Sequence, residues 1–149
     1  MGRGTRRLFT AWVPLGNADF ETGGLCVLEG SHTNERLHQT YCRRDVDSYC
    51  ENHPNDKALT ANGNNGWLSD DPNKIRRQLG NRWLVAEYEP GDMVVFGMEM
   101  VHGGLDNRSD RLRLSSDSRY QLASEPVDER WVGDNPPGHS AAGKRGRVC

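Results

Sequence analysis

A mainly antiparallel β fold, interrupted by one loop-and-helix insertion, is what this sequence of 149 residues predicts. Three observations predict it. Short runs with period-2 patterning, bounded by Gly, Pro and Asn, occupy residues 8–32 and 83–122. The 17 glycines go with loops and turns rather than with long helices. A single stretch, "DDPNKIRRQLG", carries both a helix start and a helix stop.

The elements follow in order. "LFTAWVPL" sets Leu8, Thr10 and Trp12 on one face and Phe9, Ala11 and Val13 on the other. A strand apolar on both faces needs sheet neighbours on each side, and those are expected upstream of residue 1. "GNADFETGG" (16–24) is a turn-rich loop, and "GLCVLEGSH" (24–32) a short strand closing on Gly30 and Ser31. The insertion spans about 33–82: "ERLHQTYCRRDVDSYCEN" holds a short helix and "NGNNG" (62–66) is a loop. In "DDPNKIRRQLG" Asp71 is the N-cap, Pro72 the first helical position and Gly80 the stop. "RWLVAEYEPGD" then runs into a Pro90-Gly91 turn, and "MVVFGMEMVH" follows as a strand. "RLRLSSDSRYQL" ends the series, with Leu112, Leu114 and Tyr120 on one face and Arg111, Arg113, Ser115 and Asp117 on the other. A face so polar is solvated or lines a polar cavity. A Pro/Gly-rich extended tail occupies about 123–149, and the whole of 1–149 reads as one domain.

Composition excludes several classes of function. Mean hydropathy is −0.83. Counting glycine and leaving out tyrosine, as the globular average does, raises the apolar share from 34% to about 43%, close to that average. The chain is therefore not disordered throughout. A net charge of −2 gives no footprint for nucleic acid, and no run approaches a membrane span. "MGRGTRRLFT" lacks the apolar core of a signal peptide, and Arg6 breaks a myristoylation pattern. Cys26, Cys42, Cys50 and Cys149 show no zinc-ligand spacing and read as reduced thiols in a cytoplasmic setting. The sequon Asn107-Arg108-Ser109 carries little weight without a secretory signal.

The chemistry concentrates in "MVHGGLDNRSDRLRLSSD" (100–117). A lone His at a strand end is more often structural than a ligand, and a strand Arg more often faces solvent. Together with their neighbours they mean more. Gly103 and Gly104 let the backbone lie close to a ligand, and a turn over Asn107–Asp110 returns the chain to Arg113. An imidazole near a fixed guanidinium suits a ferrous ion beside a small dicarboxylate. His102 would ligate the metal and Arg113 would hold the far carboxylate by bidentate hydrogen bonds.

"TAWVPLGNADFETGGLCVLEGSH", "YEPGDMVVFGMEMVHGG" and "NRSDRLRLSSDSRYQ" together resemble the phytanoyl-CoA dioxygenase family. That family runs from a Trp-bearing strand through a "GxLxVxPGSH" strand, a "GD" turn and a distal His to an "NxS…R" return strand. The resemblance covers roughly 8–32 and 83–133. It implies an iron(II)- and 2-oxoglutarate-dependent oxygenase on a double-stranded β-helix, the jelly-roll or cupin-like fold. His102 would be the distal metal ligand, Arg113 would bind the C5 carboxylate of 2-oxoglutarate, and Trp12 would pack against that cosubstrate. Asp92 and His32 would be structural. Glu29 replaces a usual Pro, and Gly104 stands where some members carry a hydroxyl.

One element of the pattern is missing. The family takes its other two metal ligands from an HxD motif upstream of the Trp strand, and none of the five histidines here opens an HxD. Two of the three expected ligands are therefore absent, with Asp19, Glu21 and His32 as the nearest substitutes. The chain reads as the C-terminal part of a dioxygenase, N-terminally truncated and inactive alone. The oxygenase would hydroxylate a small organic substrate, with neither nucleic acid nor membrane as partner. A non-catalytic jelly-roll module binding a small carboxylate is the alternative.

Overall fold

The computed structural model describes residues 4–43 and 68–137. Strand β1 (Phe9–Pro14) buries Thr10, Trp12 and Pro14 on one side, while Phe9 lies exposed on the other. It is the middle strand of a three-stranded antiparallel sheet, between β4 (Val94–Gly97) and β6 (Ser115–Tyr120). In register, Trp12 faces Val94 and Asp117, and Thr10 faces Phe96 and Arg119. The sheet neighbours expected upstream are thus supplied from downstream: both edges of β1 are hydrogen-bonded within the chain. The two-sided patterning called for neighbours, but carried no information on which segments they are.

A second three-stranded antiparallel sheet has β2 (Leu25–Leu28) at its centre, between β3 (Trp83–Val85) and β5 (His102–Gly104). Residues 93–102, which the sequence presents as one strand, are split between the two sheets. Met100 N–H bonds back to the Gly97 carbonyl at 3.1 Å, closing a turn. Ser31 Oγ then accepts from Val101 N–H at 2.9 Å, and Leu28 N–H donates to the Val101 carbonyl at 2.8 Å. These bonds draw the chain from β4's sheet to β2's edge.

The sheets meet through Trp12 and Phe96 on one side and Leu25 on the other, with Ala18 between and Val27, Tyr88, Val94 and Met100 packed around them. Trp12 and Tyr88 stand edge to face with centroids 5.0 Å apart, and Tyr88 Oη donates to the Leu25 carbonyl at 2.9 Å. Such a pair adds about 0.5–1.5 kcal/mol beyond its buried area. Gly24 is required beneath it, because a Cβ there would stand 2.8 Å from the Tyr88 ring.

Both helices expected within residues 33–82 form where the chain is described. Helix α1 (Glu35–Gln39) is capped by Asn34, and helix α2 (Pro72–Leu79) by Asp71, whose Oδ1 accepts from Lys74 N–H at 2.9 Å. Gly80, at φ 73, ends α2 by donating to the Arg76 carbonyl. Residues 44–67, including the "NGNNG" loop, lie outside the described residues. The start of the tail is tied to the chain's beginning: Thr5 N–H donates to the Pro126 carbonyl at 2.8 Å, and Arg7 pairs with Glu125 at 3.1 Å. The fold is β-rich, with two small antiparallel sheets and short helices.

Candidate functional site

His102 opens β5 opposite Val27, and Gly104 lies opposite Leu25. Alternation along the strand puts residues 102 and 104 on one side, the side on which Leu25 and Val27 join the core. The His102 ring packs on Phe96 with centroids 4.5 Å apart. Its Nδ1 lies 2.8 Å from the Met100 carbonyl. A carbonyl can only accept, so Nδ1 carries the proton and, in the neutral ring, Nε2 keeps its lone pair. This backbone tie is the one that orients metal-ligating histidines.

Arg113 reaches the same side of β5. A Cβ added to Gly104 would lie 3.5 Å from an Arg113 Nη, so the guanidinium covers Gly104, two residues from His102. Residues i and i+2 of a strand are about 7 Å apart, a span that a five-carbon dicarboxylate can bridge. Arg113 Nη1 also donates to Ser115 Oγ at 3.4 Å.

Asp19 holds the approach to Arg113. Its Oδ1 accepts from Glu21 N–H at 3.1 Å, Thr22 N–H at 2.8 Å and Thr22 Oγ1 at 3.0 Å, while Oδ2 accepts from Arg111 at 2.6 Å. The Thr22 backbone N–H, then the Arg111 side chain and the Thr22 hydroxyl, pull its carboxyl well below the usual carboxylate range. Two further backbone bonds zip the loops together: Arg108 N–H to the Glu21 carbonyl at 2.7 Å and Leu105 N–H to the Gly24 carbonyl at 2.9 Å. Asn107 closes the following turn, accepting from Ser109 N–H at 2.9 Å and donating to the Arg111 carbonyl at 2.7 Å. The "NRS" stretch is thus a turn device that returns the chain to Arg113.

The structure places an Arg113 Nη beside Gly104, two residues along β5 from His102, and keeps Trp12 in the core, 5% exposed and covered by Tyr88. Asp92 is structural as expected, its carboxylate accepting from Glu89 N–H at 2.8 Å to close the Pro90-Gly91 turn. Glu29 pairs with Arg82 at 2.9 Å, and the His32 side chain is exposed. Of the nearest substitute ligands, Asp19 is already committed to Thr22 and Arg111. Among the described residues no group of three His, Cys, Asp or Glu is placed to hold a metal ion. A lone imidazole does not fit iron as a resident of these residues, because ferrous sites of this class need two His and a carboxylate.

Sequence reading missed Asp19 as the tie of the two loops, Ser115 as the partner of Arg113, and Phe96 as the seat of His102. The Asp19-x-x-Thr22 spacing is an Asx-turn signal and could have shown the first. Ser115, two residues after Arg113, could have been placed on its face. Nothing local marks Phe96.

The sequence model of the phytanoyl-CoA dioxygenase (PhyH) family matches residues 2–115, a span that contains Trp12, His102 and Arg113. No curated protein and no solved structure matches the chain.

Proposed function

The chain belongs to the phytanoyl-CoA dioxygenase family, and from that premise we propose that it is the cosubstrate-binding part of an iron(II)- and 2-oxoglutarate-dependent enzyme that hydroxylates a small organic substrate. The observation that carries this reading is one side of β5: His102 with Nε2 available, and Arg113 laid over Gly104 two residues on. Arg113 takes the far carboxylate through paired N–H donors, Ser115 steadies the guanidinium, and Phe96 supports the His102 ring. In this reading the two sheets are facing parts of a jelly roll.

Among the described residues β5 is an edge strand, hydrogen-bonded to β2 and to no other strand. A strand added to its open edge would bring residues i and i+2 onto His102's side, the spacing of an HxD motif. The two absent ligands are assigned to such a strand in another stretch of polypeptide, and residues 1–149 are inactive without it. The lack of a three-ligand group among the described residues favours a second reading, a jelly-roll module that binds a small carboxylate without iron. The free thiols of Cys26 and Cys42 support a reducing, cytoplasmic setting for either. No helix among the described residues is long and apolar enough to cross a membrane.

Anaerobic titration with iron(II) and 2-oxoglutarate, watched for the weak visible charge-transfer band of the ternary complex, tests both. The expected result is no band from this chain, calorimetric binding of 2-oxoglutarate alone, and a His102-dependent band once a longer polypeptide supplies an HxD strand. If the longer polypeptide gives no band while calorimetric binding persists, the binding module replaces the dioxygenase. If 2-oxoglutarate does not bind at all, both readings fall.

A further inference from the structure

We propose that the outer side of the β4-β1-β6 sheet is the interface of a homodimer, two copies stacked face to face. This rests on the sheet alone and not on the β5 site. Strand alternation assigns Phe9, Val95 and Tyr120 to the side opposite Trp12, and Met93 continues it ahead of β4. Leu15 and Leu114, linked by a 2.9 Å backbone bond, finish its lower end. All six are more than half exposed.

No position of β1, β4 or β6 on this side carries a charged residue. An antiparallel sheet normally solvates its polar face; here the charged positions of β6, Asp117 and Arg119, alternate to the Trp12 side, and Ser116, Ser118 and Tyr120 to the outer one. The six side chains leave on the order of 700 Å² of surface, beyond the largest patch of an ordinary monomer and within reach of the roughly 800 Å² that each partner gives a standard interface.

The relief of the face fits a second copy. Phe9 and Tyr120 are register partners and form a ridge that falls away to Gly97 on β4, while in the next row Ala11 and Ser118 form a trough flanked by Val95 on β4. Ridge and trough are about 7 Å apart along the strands. A twofold axis running across the strands between them sets each copy's ridge into the other's trough, the self-complementarity that an isologous contact needs. Sheets stacked this way sit about 10 Å apart, and no like charges meet between the strand positions of the two faces.

Sedimentation velocity of the full chain, from about 1 to 100 µM, tests this, with Phe9→Glu and Val95→Glu as separate variants and circular dichroism to confirm that each is folded. The expected result is a dimer for the parent chain and dimerisation weakened about tenfold or more in at least one folded variant. A folded parent that stays monomeric throughout overturns the proposal and gives the face to another polypeptide, such as an amphipathic helix. A dimer untouched by a folded variant overturns it too.

Discussion

Arg113 and Gly104 form the smallest unit that can be tested alone. An alanine at position 104 would put its Cβ 3.5 Å from the guanidinium, ordinary contact distance, whereas a leucine would occupy the guanidinium's place. Gly104→Ala is therefore expected to bind 2-oxoglutarate like the parent and Gly104→Leu to lose it, in calorimetry without metal. Arg113→Gln should weaken binding by about 1.5–3 kcal/mol, the worth of a hydrogen bond to a charged group. Arg113→Lys should recover only part of that, since a point charge lacks the planar fork. Equal affinity across these variants would remove Arg113 from the site. At this scale the sequence was informative: the His102-to-Arg113 spacing and the glycine pair could be read directly. Ser115 and Phe96 could not, because their roles depend on which strands lie beside them.

At the scale of elements, the site rests on the β1–β2 loop gripping the loop after β5, and Asp19 is the grip. Its carboxyl titrates far below the usual range in the folded chain, and near 3.8 in the absence of its partners. A group depressed in this way contributes stability that is complete above about pH 4 and is lost as pH falls toward its folded value. Asp19→Asn should therefore lower the urea midpoint at pH 7, with the gap to the parent narrowing below about pH 4. A gap constant from pH 7 to pH 2.5 would show that the charge on Asp19 contributes nothing. Gly23 makes the same contact from the backbone side. It has φ 76, and a Cβ there would collide with the Leu105 carbonyl, so Gly23→Ala should cost about 1–3 kcal/mol or more in urea unfolding. The elements themselves were unevenly legible. Helix α2 was readable to the residue because Asp71, Pro72 and Gly80 are local signals. The break between β4 and β5 was not, since Ser31, 70 residues before Val101, supplies the bond that redirects the chain.

At the scale of the whole molecule, two small sheets share a core whose larger members are Trp12, Leu25 and Phe96. Period-2 patterning revealed the strands, but it could not say which side of each sheet would face the other. The charged positions of β6, Asp117 and Arg119, alternate to the Trp12 side yet stay exposed, and Tyr120 takes the outer side with Ser116 and Ser118. Little burial per chain means modest stability, and a second copy covering the outer face then becomes part of what keeps the chain folded. Mass action makes this measurable. A ligand that binds only the folded state raises the melting temperature with concentration, and for a dimer the ligand is the chain itself. Each tenfold rise in concentration is worth about 0.7 kcal/mol per chain, roughly 2–3 °C for a domain of this size. The parent's melting temperature should therefore climb by about 4–6 °C from 1 to 100 µM, and that of folded Phe9→Glu should stay flat. A flat parent would mean that the outer face adds nothing to stability through self-association, whatever the sedimentation profile shows.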